Sequence, residues 1–169
     1  MGKPATPDEH AEQCYIYAPS IDMKLTFQFM PEEISDSKGA NYTETEIVGR
    51  SHPIQGYSSS GARTLSFTLQ FYQMDADDDP LAMAVDLKSL CYPQYAGSVF
   101  PPPPVHVRIG TGIGIWAIMT QCDITYKAPW NANAQPMFVE VSVSFAETGI
   151  RAWDVGEIRA FSDTVYLGP

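Results

Sequence analysis

The sequence has no long hydrophobic run and little cysteine. No apolar stretch approaches the roughly 18 residues of a membrane-spanning helix, so neither an integral membrane protein nor a membrane partner is expected. Residues 1–12 are polar and lack an apolar core, so they predict no secretory signal. The three cysteines, Cys14, Cys91 and Cys122, are odd in number and widely spaced, which argues against a disulfide framework and a paired-thiol metal site. We expect three reduced, partly buried thiols.

Basic residues are also scarce. Ten Lys and Arg face 20 Asp and Glu, which gives a formal net charge of −10. A surface with this balance repels duplex DNA and anionic membranes on average, and it cannot be dominated by a patch that neutralises phosphates. Hydrophobic residues nevertheless make up 44% of the 169 residues, a share that excludes a disordered chain and supplies the core of one domain.

No motif in the chain carries catalysis. The glycine-rich segment at residues 110–114 (GTGIG) is followed by strand-like residues rather than a helix, which favours a turn over a nucleotide loop. Asp75, Asp77 and Asp79 imitate the start of a calcium loop, but Pro80 stands where that loop needs glycine. The three histidines are scattered. We therefore predict no catalytic residue, no metal ligand and no cofactor.

Strict alternation of apolar and polar residues predicts β-strands in five segments, namely residues 23–30, 63–72, 105–109, 113–126 and 137–145. Residues 15–17 form a further short candidate, and residues 41–48 fit either an edge strand or an extended loop. Residues 49–62 are rich in Gly, Ser and Pro and predict a long loop.

A single helix is predicted after the strand at residues 63–72. Asp78 or Asp79 would cap it, Pro80 suits its first turn, and its apolar side continues to about Cys91. These elements indicate a mainly β fold, an antiparallel barrel or sandwich with one inserted helix. We expect this domain to span residues 14–149, between a flexible arm at residues 1–13 and a C-terminal extension at residues 150–169.

Aromatic residues make up 12% of the chain, and several lie in predicted loops. Aromatic side chains in loops are typical of protein–protein contacts, although such loops can also fold back on the core. The candidate interface residues lie in the loop at residues 49–61, in the connector after the helix, in a later turn and in the C-terminal extension: Arg50, His52, Tyr57, Tyr92, Tyr95, Phe100, Trp130, Trp153 and Phe161.

Two stretches carry a family resemblance. In residues 27–72, a strand with Phe-x-Phe precedes Pro-Glu and Ile-Ser, and Gly-Arg-Ser-x-Pro at residues 49–53 leads to a Ser-Phe-Thr-Leu strand. In residues 90–148, Leu-Cys-Tyr-Pro is followed by Asp-Ile-Thr-Tyr, Pro-Trp and Phe-Ala-Glu-Thr. In this order the pieces resemble the tube-protein family of contractile injection systems and phage baseplates.

The resemblance implies a tail-tube-like structural protein without catalysis, located in the virion tail or baseplate after assembly in the host cytoplasm. It implies a hexameric ring that connects the tail tube to the baseplate hub or spike, with DNA passing through the lumen without specific binding. The acidic balance suits such a lumen. Longer members carry a LysM module after the tube-like part, and residues 149–169 are too few for one.

A second interpretation is a small-ligand or carbohydrate-binding β-sandwich. That function requires an apolar cleft with convergent polar groups. An enzyme would instead require a cleft with strongly perturbed titratable groups, and the sequence offers no candidate set for one.

Overall fold

The computed structural model describes residues 13–75, 77–95 and 98–149. Along those residues the regular elements are β1 (Tyr15–Ala18), a 3-10 turn (Pro19–Ile21), β2 (Met23–Thr26), β3 (Ile34–Thr45), β4 (Ile54–Tyr72), α1 (Pro80–Ser89), β5 (Gln94–Tyr95), β6 (Val99–Phe100), β7 (Val105–Ile109), β8 (Ile113–Trp130) and β9 (Pro136–Glu147).

Seven of these strands form one antiparallel sheet in the order β2-β1-β7-β8-β9-β4-β3, and β5 pairs with β6 in a separate ribbon. The mainly β, antiparallel architecture with one inserted helix is therefore confirmed. Strands β2 and β3 are the edges of the sheet, and no pairing joins them within the described ranges, so the sheet is not closed into a barrel. Where strands pair, main-chain donors and acceptors satisfy one another.

The core lies on one face of this sheet because side chains alternate between the two faces of a strand. On β9 and on the part of β4 from Leu65 onward, the two central strands of the sheet's longest section, alternate side chains are buried. The Phe67 and Phe145 rings stack with their centroids 5.7 Å apart. The buried set on these two strands is Leu65, Phe67, Leu69, Phe71, Val139, Val141, Val143 and Phe145.

The sheet curls so that its β2 end returns over β4. Phe27 packs against Phe67 with ring centroids 5.5 Å apart. The Gln28 side chain donates to the Tyr72 carbonyl oxygen at 2.9 Å and accepts from the Tyr72 amide at 2.7 Å. Tyr72 pairs with Phe138 of β9 on one side, and the Gln28 side chain takes the place of a β3 partner on the other. The apolar core is enclosed between the two layers.

The strand predicted for residues 23–30 is wrong in its second half. Strand β2 ends at Thr26, and one further main-chain bond, from the Phe27 amide to the Cys14 carbonyl at 3.0 Å, completes its pairing. The partner strand β1 begins at Tyr15, so the chain beyond Phe27 has no ladder to join. Alternation at Phe27 and Phe29 instead reflects packing in the bend.

The predicted helix and its cap are confirmed. The Asp79 carboxylate accepts hydrogen bonds from the amides of Leu81 and Ala82 at 3.0 and 3.1 Å, and Pro80 occupies the first turn. Leu87 is among the residues that α1 buries against the sheet, where the helix contacts β9, β4 and β8. The helix ends at Ser89, slightly earlier than the apolar pattern suggests.

Removing the cap should weaken this packing. We expect Asp79→Ala to lower the free energy of unfolding by about 1 kcal/mol, because two amides of the first turn lose their acceptor. Chemical denaturation measures this difference. Asp86→Ala on the exposed side of the same helix is the matched control, and equal losses in the two variants would contradict the capping role.

Candidate assembly interface

The β3–β4 hairpin extends well beyond the core. Strand β9 pairs with β4 only from Thr64 onward, so residues 38–63 form a ribbon of two strands and their tip, which we call the arm. All residues from Ser35 to Ser60 are exposed. The paired part reaches roughly 25 Å past the end of β9. A two-stranded ribbon is marginal in water without a surface to pack on, so the arm is suited to binding a partner.

An ion pair clamps the base of the arm. Arg63 donates from Nε to Asp36 Oδ1 at 2.8 Å and from Nη2 to Asp36 Oδ2 at 2.5 Å. These hydrogen bonds from the guanidinium lower the pKa of Asp36 and raise that of Arg63. Because both side chains are partly exposed, solvent screens the pair, and its contribution to stability is about 1 kcal/mol or less. It joins β3 to β4 at the base of the arm.

Cross-strand contacts brace the arm itself. The Tyr42 and Tyr57 rings meet edge to face with centroids 5.9 Å apart, and the Asn41 side chain donates to Ser59 Oγ at 3.2 Å. Gln55 donates to Glu44 across the strands at 3.0 Å. None of these side chains is buried, so these pairs keep the two strands together without anchoring them to the core.

The predicted loop at residues 49–62 is wrong over most of its length. Residues 54–62 continue β4, and their main chain pairs with β3 along the arm. The sequence did not predict this strand because strand propensity reflects side-chain packing on a half-buried surface. The Gly and Ser residues of this segment up to Ser60 are exposed and do not pack on the core. The alternative of an edge strand for residues 41–48 is the correct one as far as Thr45.

The tip of the arm is a turn with exposed apolar side chains. The Arg50 amide donates to the Ile47 carbonyl at 3.1 Å, and Gly49 has a φ of +88°, a conformation that the third residue of such a turn requires. Val48 is fully exposed, and Ile47 is 46% exposed. His52 follows in the same tip and is also exposed. Apolar side chains held this far from the core are available to a partner.

A second free edge lies on the opposite side of the same sheet. Strand β7 pairs with β8 only over residues 113–117. In the part of the chain that the structure describes, no strand pairs with that edge of β8 from residue 118 to 130. The section β8-β9-β4-β3 is therefore a four-stranded sheet with an open edge on each side. Long open edges are templates for pairing with another chain.

The structure separates the remaining sequence-predicted interface residues into two places. Tyr92, Tyr95 and Phe100 lie in or beside the β5–β6 ribbon and are 48–76% exposed. Trp130 ends β8 opposite Pro136, at the end of the sheet away from the arm, and is 53% exposed. Trp153 and Phe161 lie outside the described residues. The two open edges were missed by sequence reasoning because an edge is a property of strand order.

The described residues bring no metal site together. Within residues 13–75, 77–95 and 98–149, no three His, Cys, Asp or Glu side chains are grouped as metal ligands. Of the calcium-like acidic run, Asp79 serves as the helix cap. The glycine-rich segment that begins at Gly110 contains the turn between β7 and β8, as its sequence context predicted.

Comparison with known protein families identifies the family to which this chain belongs. Residues 15–152 match the family described as contractile injection system tube protein. The chain belongs to this family. The resemblance seen in its sequence is thereby confirmed, and the tube protein is a structural component of a contractile injection system. No curated protein matches the chain. Within the ranges the structure describes, no helix of the tube protein is long and apolar enough to cross a membrane.

Two thiols of the tube protein lie in an environment that suppresses their ionisation. Burial raises the pKa of Cys122 to about 11, with further contributions from Cys91 and Asp123, and burial likewise raises the pKa of Cys91. At pH 8 the thiolate fraction of Cys122 is about 100-fold below that of an ordinary cysteine. We expect correspondingly slow reaction with a disulfide reagent, measured against the urea-unfolded chain. Equal rates in the folded and unfolded chains would contradict this.

We expect His106 to lower the stability of the tube protein in mild acid. Its ring lies between Trp116 and Tyr15, with centroid distances of 5.1 and 5.9 Å. Burial, and secondarily Arg108, lowers the pKa of His106 below 6.5. The unfolded chain therefore takes up a proton first, and stability is lost as the pH falls below about 6.5. In denaturant titrations, we expect the free energy of unfolding of wild type to fall relative to that of His106→Gln as the pH is lowered from 7.5 to 5.5. A difference that is constant with pH would refute this.

Proposed function

We propose that identical copies of this chain close into a hexameric ring that connects the tail tube to the baseplate hub, in a phage virion or a related injection particle. The observation that carries this proposal is the four-stranded section β8-β9-β4-β3 with its two open edges. The edges are different strands on opposite sides of the sheet. Contact between two different surfaces of identical subunits generates a ring when the rotation closes.

Strand direction supports this pairing. The four strands alternate in direction, so a β3 edge that pairs with the β8 edge of the next copy continues the antiparallel order around the ring. The two edges are also offset along the strands, because much of β3 lies in the arm while the open part of β8 lies beside the core. Such a stagger is what a barrel of tilted strands requires.

Six copies would contribute about 24 strands to one inner barrel. At about 4.8 Å between strands, its backbone diameter is about 37 Å, and strand tilt widens it further. This leaves an open channel, since barrels of 16–18 strands already do so. DNA would pass through it without specific binding. In this proposal the protein carries no catalytic residue, binds no cofactor or metal, and stays away from membranes.

The two ends of the ring differ, which supports a connecting role. One end carries the arm with Arg50, His52 and Tyr57, and the other carries Trp130. We propose that these residues contact the neighbouring copies, the tail tube protein and the hub. Tyr92, Tyr95 and Phe100 on the β5–β6 ribbon, and Trp153 and Phe161 in the C-terminal extension, complete the proposed interface.

Native mass spectrometry of the purified chain, with and without its tail tube and hub partners, tests the ring, and electron microscopy of the particle tests its position. We expect a six-fold ring between tube and hub. The proposal would be overturned if the chain stayed monomeric with both partners present and bound an oligosaccharide. That result would indicate a carbohydrate-binding module instead.

A further inference from the structure

Four consecutive prolines, residues 101–104, lie directly before β7. Pairing between β7 and β8 ends where Val105 faces Ala117, and beyond this point the described chain leaves the edge of β8 open. The burial pattern of β7 nevertheless continues backwards along the chain, because Pro103 is buried and Pro104 is exposed. Position 103 thus extends the inward-facing series of β7 without taking part in its pairing.

A main-chain hydrogen bond shows which groups of β8 face the open edge. The Trp116 carbonyl oxygen accepts from the Thr148 amide at 2.9 Å, on the β9 side. In an antiparallel sheet, successive residues of a strand direct their main-chain groups to opposite sides. Ala117 therefore points to β7, and Met119 is the first residue of β8 whose amide and carbonyl point to the open edge. Continuing the register from Val105 and Ala117 puts position 103 opposite Met119.

Position 103 is also the next position from which β7 would bond to β8. The Gly110 amide donates to Cys14 Sγ at 3.2 Å, on the β1 side, so the odd-numbered residues of β7 direct their main-chain groups to β8. An amide at position 103 would point at the Met119 carbonyl in the same way. Proline has no amide hydrogen, and within sheets it is confined to edge strands, strand ends and bulges. The pairing of β7 with β8 therefore stops before the first residue that cannot donate.

Resting on the ring of the proposed function, we propose that Pro103 keeps the open edge of β8 free for β3 of a second copy, because it prevents β7 of its own chain from pairing there. Strand β3 has 12 residues, and the open part of β8, residues 118–130, has nearly the same length. If β7 continued along β8, it would occupy the donors and acceptors that an incoming β3 needs. Each copy would then be closed to its neighbour.

Hydrogen exchange of the monomer, followed residue by residue by NMR, tests the block at position 103. Pro103→Val restores the missing amide with an apolar, β-branched side chain of similar size. We expect the Met119 amide to exchange at least about tenfold more slowly in this variant than in wild type, because β7 then pairs with Met119. Pro104→Val is the matched control. Its restored amide points away from β8, so Met119 exchange should stay as in wild type.

Ring formation tests what the open edge is for. In native mass spectra with the tail tube and hub partners present, we expect Pro103→Val to give rings at a yield at least about tenfold below wild type, because the extended β7 must be displaced at every interface. Pro104→Val should give the wild-type yield. Should Pro103→Val fail to fold, Pro103→Ala restores the same amide with a smaller side chain, and both measurements are made on it with the same readings.

The outcomes separate this inference from the proposed function. If wild type forms no ring, the proposed function fails, and Met119 exchange still decides whether Pro103 stops β7. If rings form and Met119 exchange is unchanged in Pro103→Val, the ring stands and Pro103 is not the block. If Met119 becomes protected in that variant while its ring yield stays normal, the start of the β8 edge takes no part in closure, and the inference is overturned. Equal loss of rings in Pro104→Val would also overturn it.

Discussion

Replacing residues 40–60 by an Asn-Gly turn should leave the domain folded and abolish ring formation. The replaced residues are exposed throughout, so their removal creates no cavity and takes no buried side chain from the core. The melting temperature should therefore change by no more than about 3 °C. Ring formation should fall below detection, because the variant loses half of β3 as an open edge together with the apolar tip.

The experiment compares native mass spectra of the shortened chain with those of Val85→Ser, which alters an exposed apolar residue on α1 and keeps the arm. We expect rings from Val85→Ser and monomers from the shortened chain. Rings of normal size and abundance from the shortened chain would show that residues 40–60 have no part in closure, and β3 would then pair only through residues 34–39.

Phe145→Ala should destabilise the domain severely. Phe145 has no exposed surface, stacks on Phe67 and lies on β9, which is paired on both sides. Its truncation leaves a cavity between the sheet layers and should lower the free energy of unfolding by about 3–5 kcal/mol. A protein of this size has about 5–15 kcal/mol in total, so the variant should be marginal at 37 °C.

Urea denaturation measures this loss, and Ser142→Ala on the same strand is the control. Ser142 is exposed and bonds only to Thr68 in the same surface pair, so its removal should cost about 0.5 kcal/mol or less. A loss below about 1 kcal/mol for Phe145→Ala would mean that the two layers collapse onto the cavity.

Local signals predicted those parts of the fold in which one strand face or one helix side is buried. The alternation in β9 and in the core half of β4 is visible because burial demands an apolar residue at every second position. The helix start is visible because Asp79 and Pro80 meet the chemical requirements of the first turn. Neither signal depends on what lies elsewhere in the chain.

The candidate site could be predicted only in part. Tyr57, Tyr95 and Trp130 were identified from their composition and context, and the structure shows them exposed. The strand at residues 54–62 was missed, because neither of its faces packs on the core and its residues show no apolar alternation. The open edge of β8 was missed for another reason. It exists because β7 is only five residues long, and local sequence does not state that the two strands pair.

Taken alone, the sequence determined the family, the antiparallel β class, the helix cap and most of the buried positions, since each of these depends on residues that are close together in the chain. Tertiary structure alone decided the strand order, the two open edges and the division of polar residues between faces. Strand order brings Ser66 beside Ser144 although the two residues are far apart in the sequence. Pairing between distant segments is set by the collective packing of the core, which no local pattern encodes.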